Sequence, residues 1–109
     1  MEKLKSEINK LLQQQEILAD KSALTYNYPN PFTGKTTIQF NLTTKEAVHV
    51  EIKIFDRLGK MVKLLDVQSA KTGINTVGLD MHDLPSGMYY YSLFVNDRQT
   101  DSKKMVVVR

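Results

Sequence analysis

The sequence predicts an all-β protein, an antiparallel β-sandwich of about seven strands, preceded by an N-terminal α-helix of coiled-coil character. Three observations lead there. From residue 36 onward apolar side chains recur at every second position in short runs. The runs are separated by Gly, Pro, Asn and Asp, and no helical period interrupts them after residue 26. Residues 1–19 instead carry apolar groups at spacings of three and four, with no Gly, Pro or Thr.

In the first segment Met1, Leu4, Ile8, Leu11, Gln15 and Leu18 form an a/d seam of less than three heptads. A rod of about 28 Å is too short to stand alone. It therefore packs on the following domain, or it ends a longer stalk and makes a homo-oligomer, with Gln15 as a register-setting polar layer. Residues 20–27 have no consistent period and read as a linker. The sandwich is expected over residues 28–109.

Within it, Thr36, Ile38, Phe40 and Leu42 share one face of the first strand. Val48, Val50, Ile52 and Ile54 alternate with polar residues in the second. "MVKLL" from Met61, "INTVGLDM" at 74–81, "MYYYSLFV" at 88–95 and "SKKMVVVR" complete the set, with a further small strand near Tyr26. "FDRLGK" and "LPSGMY" each end a three-residue connection on glycine, as a type I turn followed by a left-handed residue requires. Asn96 and Asp97 suit a two-residue hairpin joining the last strands. The 88–95 strand is apolar on both faces, which is expected of a strand central in its sheet. Tyr89 and Tyr91 share one of those faces with Leu93 and Val95, and Tyr90 shares the other with Met88, Ser92 and Phe94.

Composition closes several classes of function. The 15 basic and 12 acidic residues give a net charge of +3, without the clustered basic stripe that nucleic acid requires. The chain has no cysteine, which excludes thiol catalysis, thiolate zinc sites and disulfides. No apolar run approaches the roughly 20 residues of a membrane span, and the N-terminus has no secretory core.

The catalytic motifs fail on their neighbours. Ser86 in "PSGM" lacks the upstream glycine of a nucleophile elbow. Gly34-Lys35-Thr36 is followed by a strand where a phosphate loop needs a helix. His49 lies on the polar face of a strand, and His82 lies in a turn between Asp80 and Asp83. Neither has metal-ligand partners at useful sequence spacing, and the acids fall at strand ends and turns, where they bond local backbone. The chain is therefore not read as an enzyme, and no cofactor or metal is assigned.

The closing stretch, "KKMVVVR", places Lys104, Val106 and Val108 on one face and Lys103, Met105, Val107 and Arg109 on the other. At a sheet edge such a strand could receive a partner by strand addition.

Five motifs then fall in order: "YPNPF", "TTIQFNL", "VEIKIFDRLGKMV", "GINTVGLDMHDLPSGMYYYSL" and "KKMVVVR". Together they resemble the C-terminal sorting domain of the type IX secretion system in its type A form, over about residues 26–109. The resemblance implies an immunoglobulin-like sandwich that directs a larger cargo across the outer membrane. The cargo would pass through the periplasm to the cell surface or the medium. It also implies contact with the secretion machinery and with its sortase-like peptidase, which removes the domain and attaches the cargo to the surface. By position, the motif residues are Pro29, Asn30, Pro31 and Phe32, and the turn glycines Gly59, Gly73 and Gly87. The segment the machinery reads falls on Lys103, Lys104, Met105, Val106, Val107, Val108 and Arg109. Two departures concern subtype: Thr33-Gly34-Lys35 follows Phe32 where the family often has Asn-Pro, and Leu79 stands before Asp80 where an aromatic is common.

On this reading the prolines hold the linker out of the sheet and Phe32 anchors the first strand. The processing site is expected between Ala19 and Tyr28, within the irregular stretch Asp20, Lys21, Ser22, Ala23, Leu24 and Thr25. Two rivals remain open: an immunoglobulin-like module retained in an extracellular fibre, as in hook-cap proteins with similar lead-ins, and a carbohydrate-binding sandwich, favoured if Tyr89 and Tyr91 face solvent.

Overall fold

The computed structural model describes residues 20–45 and 49–109. The helix, seam and oligomer expected of residues 1–19, and the place of Val48 in its strand, lie outside the described residues.

Seven strands follow in chain order: β1 (Ala23–Tyr28), β2 (Lys35–Leu42), β3 (Val50–Asp56), β4 (Met61–Asp66), β5 (Gly73–Asp80), β6 (Gly87–Val95) and β7 (Arg98–Val107). They make a three-stranded sheet in the order β1-β2-β5 and a four-stranded sheet in the order β4-β3-β6-β7. Every neighbouring pair is antiparallel. The chain crosses between the sheets after β2, after β4 and after β5, as in an immunoglobulin-like sandwich, and that description fits. A tyrosine corner supports it: the Tyr89 hydroxyl, early in β6, donates to the Pro85 carbonyl at 2.6 Å. No helix among the described residues is long and apolar enough to cross a membrane, which says nothing of a β-barrel.

The period of two becomes the core. Ile38, Phe40 and Leu42 of β2 face Ile52 and Ile54 of β3 and Tyr91, Leu93 and Val95 of β6, all buried. Burying each such side chain stabilises the fold by about 1.5–3 kcal/mol. β6, apolar on both faces, is an inner strand of its sheet.

The turns obey local chemistry. Asn96 and Asp97 both have positive φ, 51° and 67°, as a two-residue hairpin turn demands. At the β3–β4 turn the Asp56 carboxylate accepts from the amides of Leu58 and Lys60, both at 2.9 Å, and Gly59 takes φ 89°.

One expectation is corrected here. Residues 23–27 of the expected 20–27 linker belong to strand β1, which pairs with β2 from Ala23 to Tyr28. Leu24 is buried in the core, and its amide donates to the Asp101 carboxylate at 2.8 Å, which ties the edges of the two sheets together. The reading placed only a small strand near Tyr26 and missed the rest for a physical reason. A bulge between Leu24 and Tyr26 shifts the alternation, and the next inward position holds a polar residue, Asn27. The prolines therefore do not hold this segment out of the sheet. They follow β1 and end it.

Candidate functional site

β7 is an outer strand of the four-stranded sheet, so one side of its backbone has no partner strand. Such an edge invites uncontrolled pairing unless it is covered. Here "YPNPF" covers it. The Asn30 side chain acts as a surrogate peptide group. Its Oδ1 accepts from the Val106 amide at 2.9 Å, and its Nδ2 donates to the Lys104 carbonyl at 3.4 Å. Two residues on, the Phe32 amide donates to the Val106 carbonyl at 3.0 Å, and the Phe32 carbonyl accepts from the Val108 amide at 2.8 Å. Pro29 and Pro31 have no amide hydrogen to leave unpaired. The Pro29 carbonyl accepts from the Thr36 hydroxyl at 2.8 Å, and the Phe32 ring is 2% exposed beneath the strand it caps. The two most distinctive motifs of the sequence thus meet as one unit.

The seven residues of the 103–109 segment divide into three groups. Met105 and Val107 are buried in the core. Lys103, Lys104, Val106 and Val108 are exposed. Val106 lies opposite Met88, and Lys104 lies opposite Tyr90 with its ammonium 6.0 Å from the ring centre. Arg109 turns back on the molecule. Its guanidinium donates to the carbonyls of Thr33, Leu84 and Met81, the last at 2.7 Å, and to that of His82 at 3.4 Å. A strand capped along its edge and clamped at residue 109 presents its outward side chains in fixed positions.

The other predicted residues lie away from this unit or serve turns. Gly59 and Gly73, with φ 89° and 105°, sit where a side chain would be strained, and Gly87, with φ 152°, opens β6 opposite Val107. Asp20, Lys21 and Ser22 precede β1. The Lys21 amide donates to the Thr43 hydroxyl at 3.0 Å, and the buried Ser22 hydroxyl accepts from the Thr43 amide at 3.0 Å. Ala23, Leu24 and Thr25 belong to β1. Of these six residues only Asp20, Lys21 and Ser22 have the irregular backbone that was expected, and Ser22 is buried.

Charge on the surface is locally paired. The amide of His82, and then its ring Nδ1 at 2.6 Å, hold the Asp80 carboxyl below the ordinary carboxylate range. The Lys63 ammonium at 2.9 Å does the same for Asp83. Sequence spacing missed one cluster. The fold brings Glu51 and Asp97 to His49, at 3.5 Å from Nε2 and 3.2 Å from Nδ1. Glu51 is two residues from His49 along the chain, and only strand register could have added Asp97 from the β6–β7 turn. Each ring nitrogen faces a carboxylate, and one donor atom from each of the three residues lies within 4.8 Å of the other two.

Tyr89 and Tyr91 are 4% and 1% exposed. That overturns the condition on which the carbohydrate-binding reading of those two residues rested.

Comparison with known proteins agrees with the motif order. The family model described as secretion system C-terminal sorting domain matches residues 27–108. No curated protein matches significantly. Among solved structures, the dimeric latent PorU of Porphyromonas gingivalis is similar with a TM-score of 0.68 and 24% identity, over 82% of this chain and 9% of that one. The BSP domain of a biofilm-associated protein is similar at 0.57 and 14%, over 78% and 15%. The β-glucosidase 3B of Thermotoga neapolitana, solved with glycerol, is similar at 0.53 and 10%, over 83% and 16%. These likenesses concern the fold, and the chain spans a small part of each of those proteins. With the lead-in, the turn glycines and the 103–109 segment in one folded unit, the chain belongs to the family of secretion system C-terminal sorting domains.

Proposed function

We propose that this domain is read by the type IX secretion machinery through a preformed surface, the outward side chains of the 103–109 segment, and not through a flexible peptide. As a sorting signal it serves export to the cell surface or the medium. In this reading the cargo reaches the periplasm by a separate signal, and the folded domain then directs it across the outer membrane.

The observation that carries the proposal is the cap on β7. Asn30 and Phe32 fill its outer edge, so strand addition at Lys104–Val108 is a poor mode of recognition. What remains for a partner is side chain: Lys104 and Val106, beside Met88 and Tyr90 on one face, with Val108 just beyond the strand and Lys103 exposed at the opposite parity. Exposed apolar groups ringed by lysines suit a partner groove with acidic margins.

Processing by the sortase-like peptidase and attachment of the cargo to the surface belong to the same proposal. Because β1 is part of the sandwich, the cut is placed before Ser22, where cleavage leaves every strand intact. Mass spectrometry of the secreted cargo should find its new end before residue 22; an end beyond Ala23 contradicts this placement. The reading itself is tested in a bacterium that has the machinery, with a periplasm-targeted fluorescent reporter carrying this chain at its C-terminus. The fusion should reach the surface or medium, and Val106→Asp, a charge on the exposed face, should leave it in the periplasm while still folded. Equal export of both contradicts side-chain readout.

A further inference from the structure

The outer face of the three-stranded sheet carries a second, unrelated feature. Registered pairing places Tyr28, Thr37 and Gly78 in one cross-strand row, and Tyr26, Gln39 and Thr76 in the next. Residues directly opposite in such rows share a face. Tyr28 is 74% exposed and Tyr26 is 46% exposed, so both rings lie open on the same strand. They follow one another by about 6.8 Å along β1. The Tyr26 hydroxyl donates to Gln39 Oε1 at 2.9 Å, which draws that ring over the polar middle strand.

Gly78 is the unusual member. Of the five glycines in the chain, three take positive φ, and a Cβ on Gly34 would collide with the His82 ring. Gly78 has neither reason: it lies mid-strand in β5, and a Cβ there would meet nothing within 4 Å. A glycine weakens a strand interior and often marks a bulge, a tight bend or close approach by something else, and the register of β5 with β2 runs without a bulge. Its missing side chain opens a groove of about 410 Å³. Tyr28 and Pro29 form one wall, Thr37 is on the floor, and Lys35 and Asp80 stand at one end. That size lies within the range of small-ligand sites.

We propose that this face binds a β-linked oligosaccharide of all-equatorial pyranose units, one sugar seated in the Tyr28–Gly78 groove and the next over Tyr26. Such rings have two flat C–H faces and hydroxyls only at the rim. The flat faces match the apolar bodies of the tyrosines, and the rim hydroxyls meet alternating donors and acceptors: the Lys35 ammonium, the Asp80 carboxylate, the Thr37 and Thr76 hydroxyls and the free Nε2 of Gln39. His82 keeps Asp80 ionised, so it accepts. The site lies on the opposite sheet from the 103–109 segment and does not depend on the sorting function.

The full chain is titrated with cellohexaose, xylohexaose and chitohexaose, and amide shifts are followed by NMR. At least one should bind with a dissociation constant on the order of 1 mM or tighter, with shifts confined to β1, β2 and β5. Tyr28→Ala should weaken binding about tenfold or more by removing the stacking face. Gly78→Val should do the same by filling the groove, and it keeps the fold because the added group meets open space in a strand. Both variants should retain the amide spectrum of a folded sandwich. Failure of all three sugars to bind at about 10 mM overturns the proposal. So does binding that survives either substitution unchanged.

Discussion

The outer faces of the two sheets follow one alternation and carry different chemistry. On the four-stranded sheet Met88, Tyr90, Phe55, Met61 and Leu64 face outward, with Lys53 over the Phe94 ring at 4.0 Å and Lys104 beside Tyr90. On the three-stranded sheet the outward residues are mostly polar, among them Lys35, Thr37, Gln39, Asn41, Thr76 and Asp80, with Ile74 exposed between them and two tyrosines along β1. Burial dictates the inward residue of each pair and leaves the outward one free. The outward choice is therefore where a shared fold acquires its particular partners. One face suits a protein surface, the other a sugar.

The same division runs through the 103–109 segment, whose inward residues hold the fold and whose outward ones are free to be read. Changes to the inward set should be felt first as lost stability. Phe32→Ala removes a ring that is 2% exposed and should cost about 3–5 kcal/mol in denaturant unfolding. A cost under about 1 kcal/mol in that experiment means that the cap is not anchored as described. Asn30→Ala deletes two hydrogen bonds to the β7 edge and should cost about 1–2 kcal/mol. It should also raise hydrogen exchange at the Val106 amide well above that at Met105.

Alkali probes the inward face of β6. Burial, and then the Asp101 carboxylate, push the Tyr91 hydroxyl up to about 12 from an ordinary value of 10.0. The folded chain thus holds this proton more tightly than the unfolded chain. Its contribution to stability is full below about pH 10 and is lost as pH rises towards 12. Tyr91→Phe should move the midpoint of alkaline unfolding to higher pH, while Tyr90→Phe, on the outward face, should leave it in place. Smallest of all is the effect of the exposed lysines on stability. Lys103→Ala combined with Lys104→Ala should change unfolding free energy by no more than about 0.5 kcal/mol.

How much of this was legible in the sequence depended on whether the information was local. β2 was plain because inward and outward residues alternate without a break, β6 because it is apolar on both faces, and the second half of β7 by its parity, while its start at Arg98 was not read; Asn96-Asp97 marked its own hairpin. The division of Met105 and Val107 from Lys104, Val106 and Val108 followed from the same parity. A small strand near Tyr26 was expected, but the extent of β1 was hidden by its bulge and by Asn27 in an inward place. The cap on β7 could not be read, since Asn30 and Val106 are 76 positions apart and a side chain there imitates a backbone. Nor could the return of Arg109 to the 81–84 turn, or the approach of Asp97 to His49, because each depends on how sheets and turns come together.

The central claim is that the exposed lysines of a folded domain, Lys103 and Lys104, are read during export. The direct measurement is the surface fraction of a periplasm-targeted reporter carrying this chain, intact or with Lys103→Ala and Lys104→Ala together, with folding of both checked by thermal melting. The account predicts equal melting and loss of surface delivery for the double variant. Equal melting with undiminished delivery contradicts it.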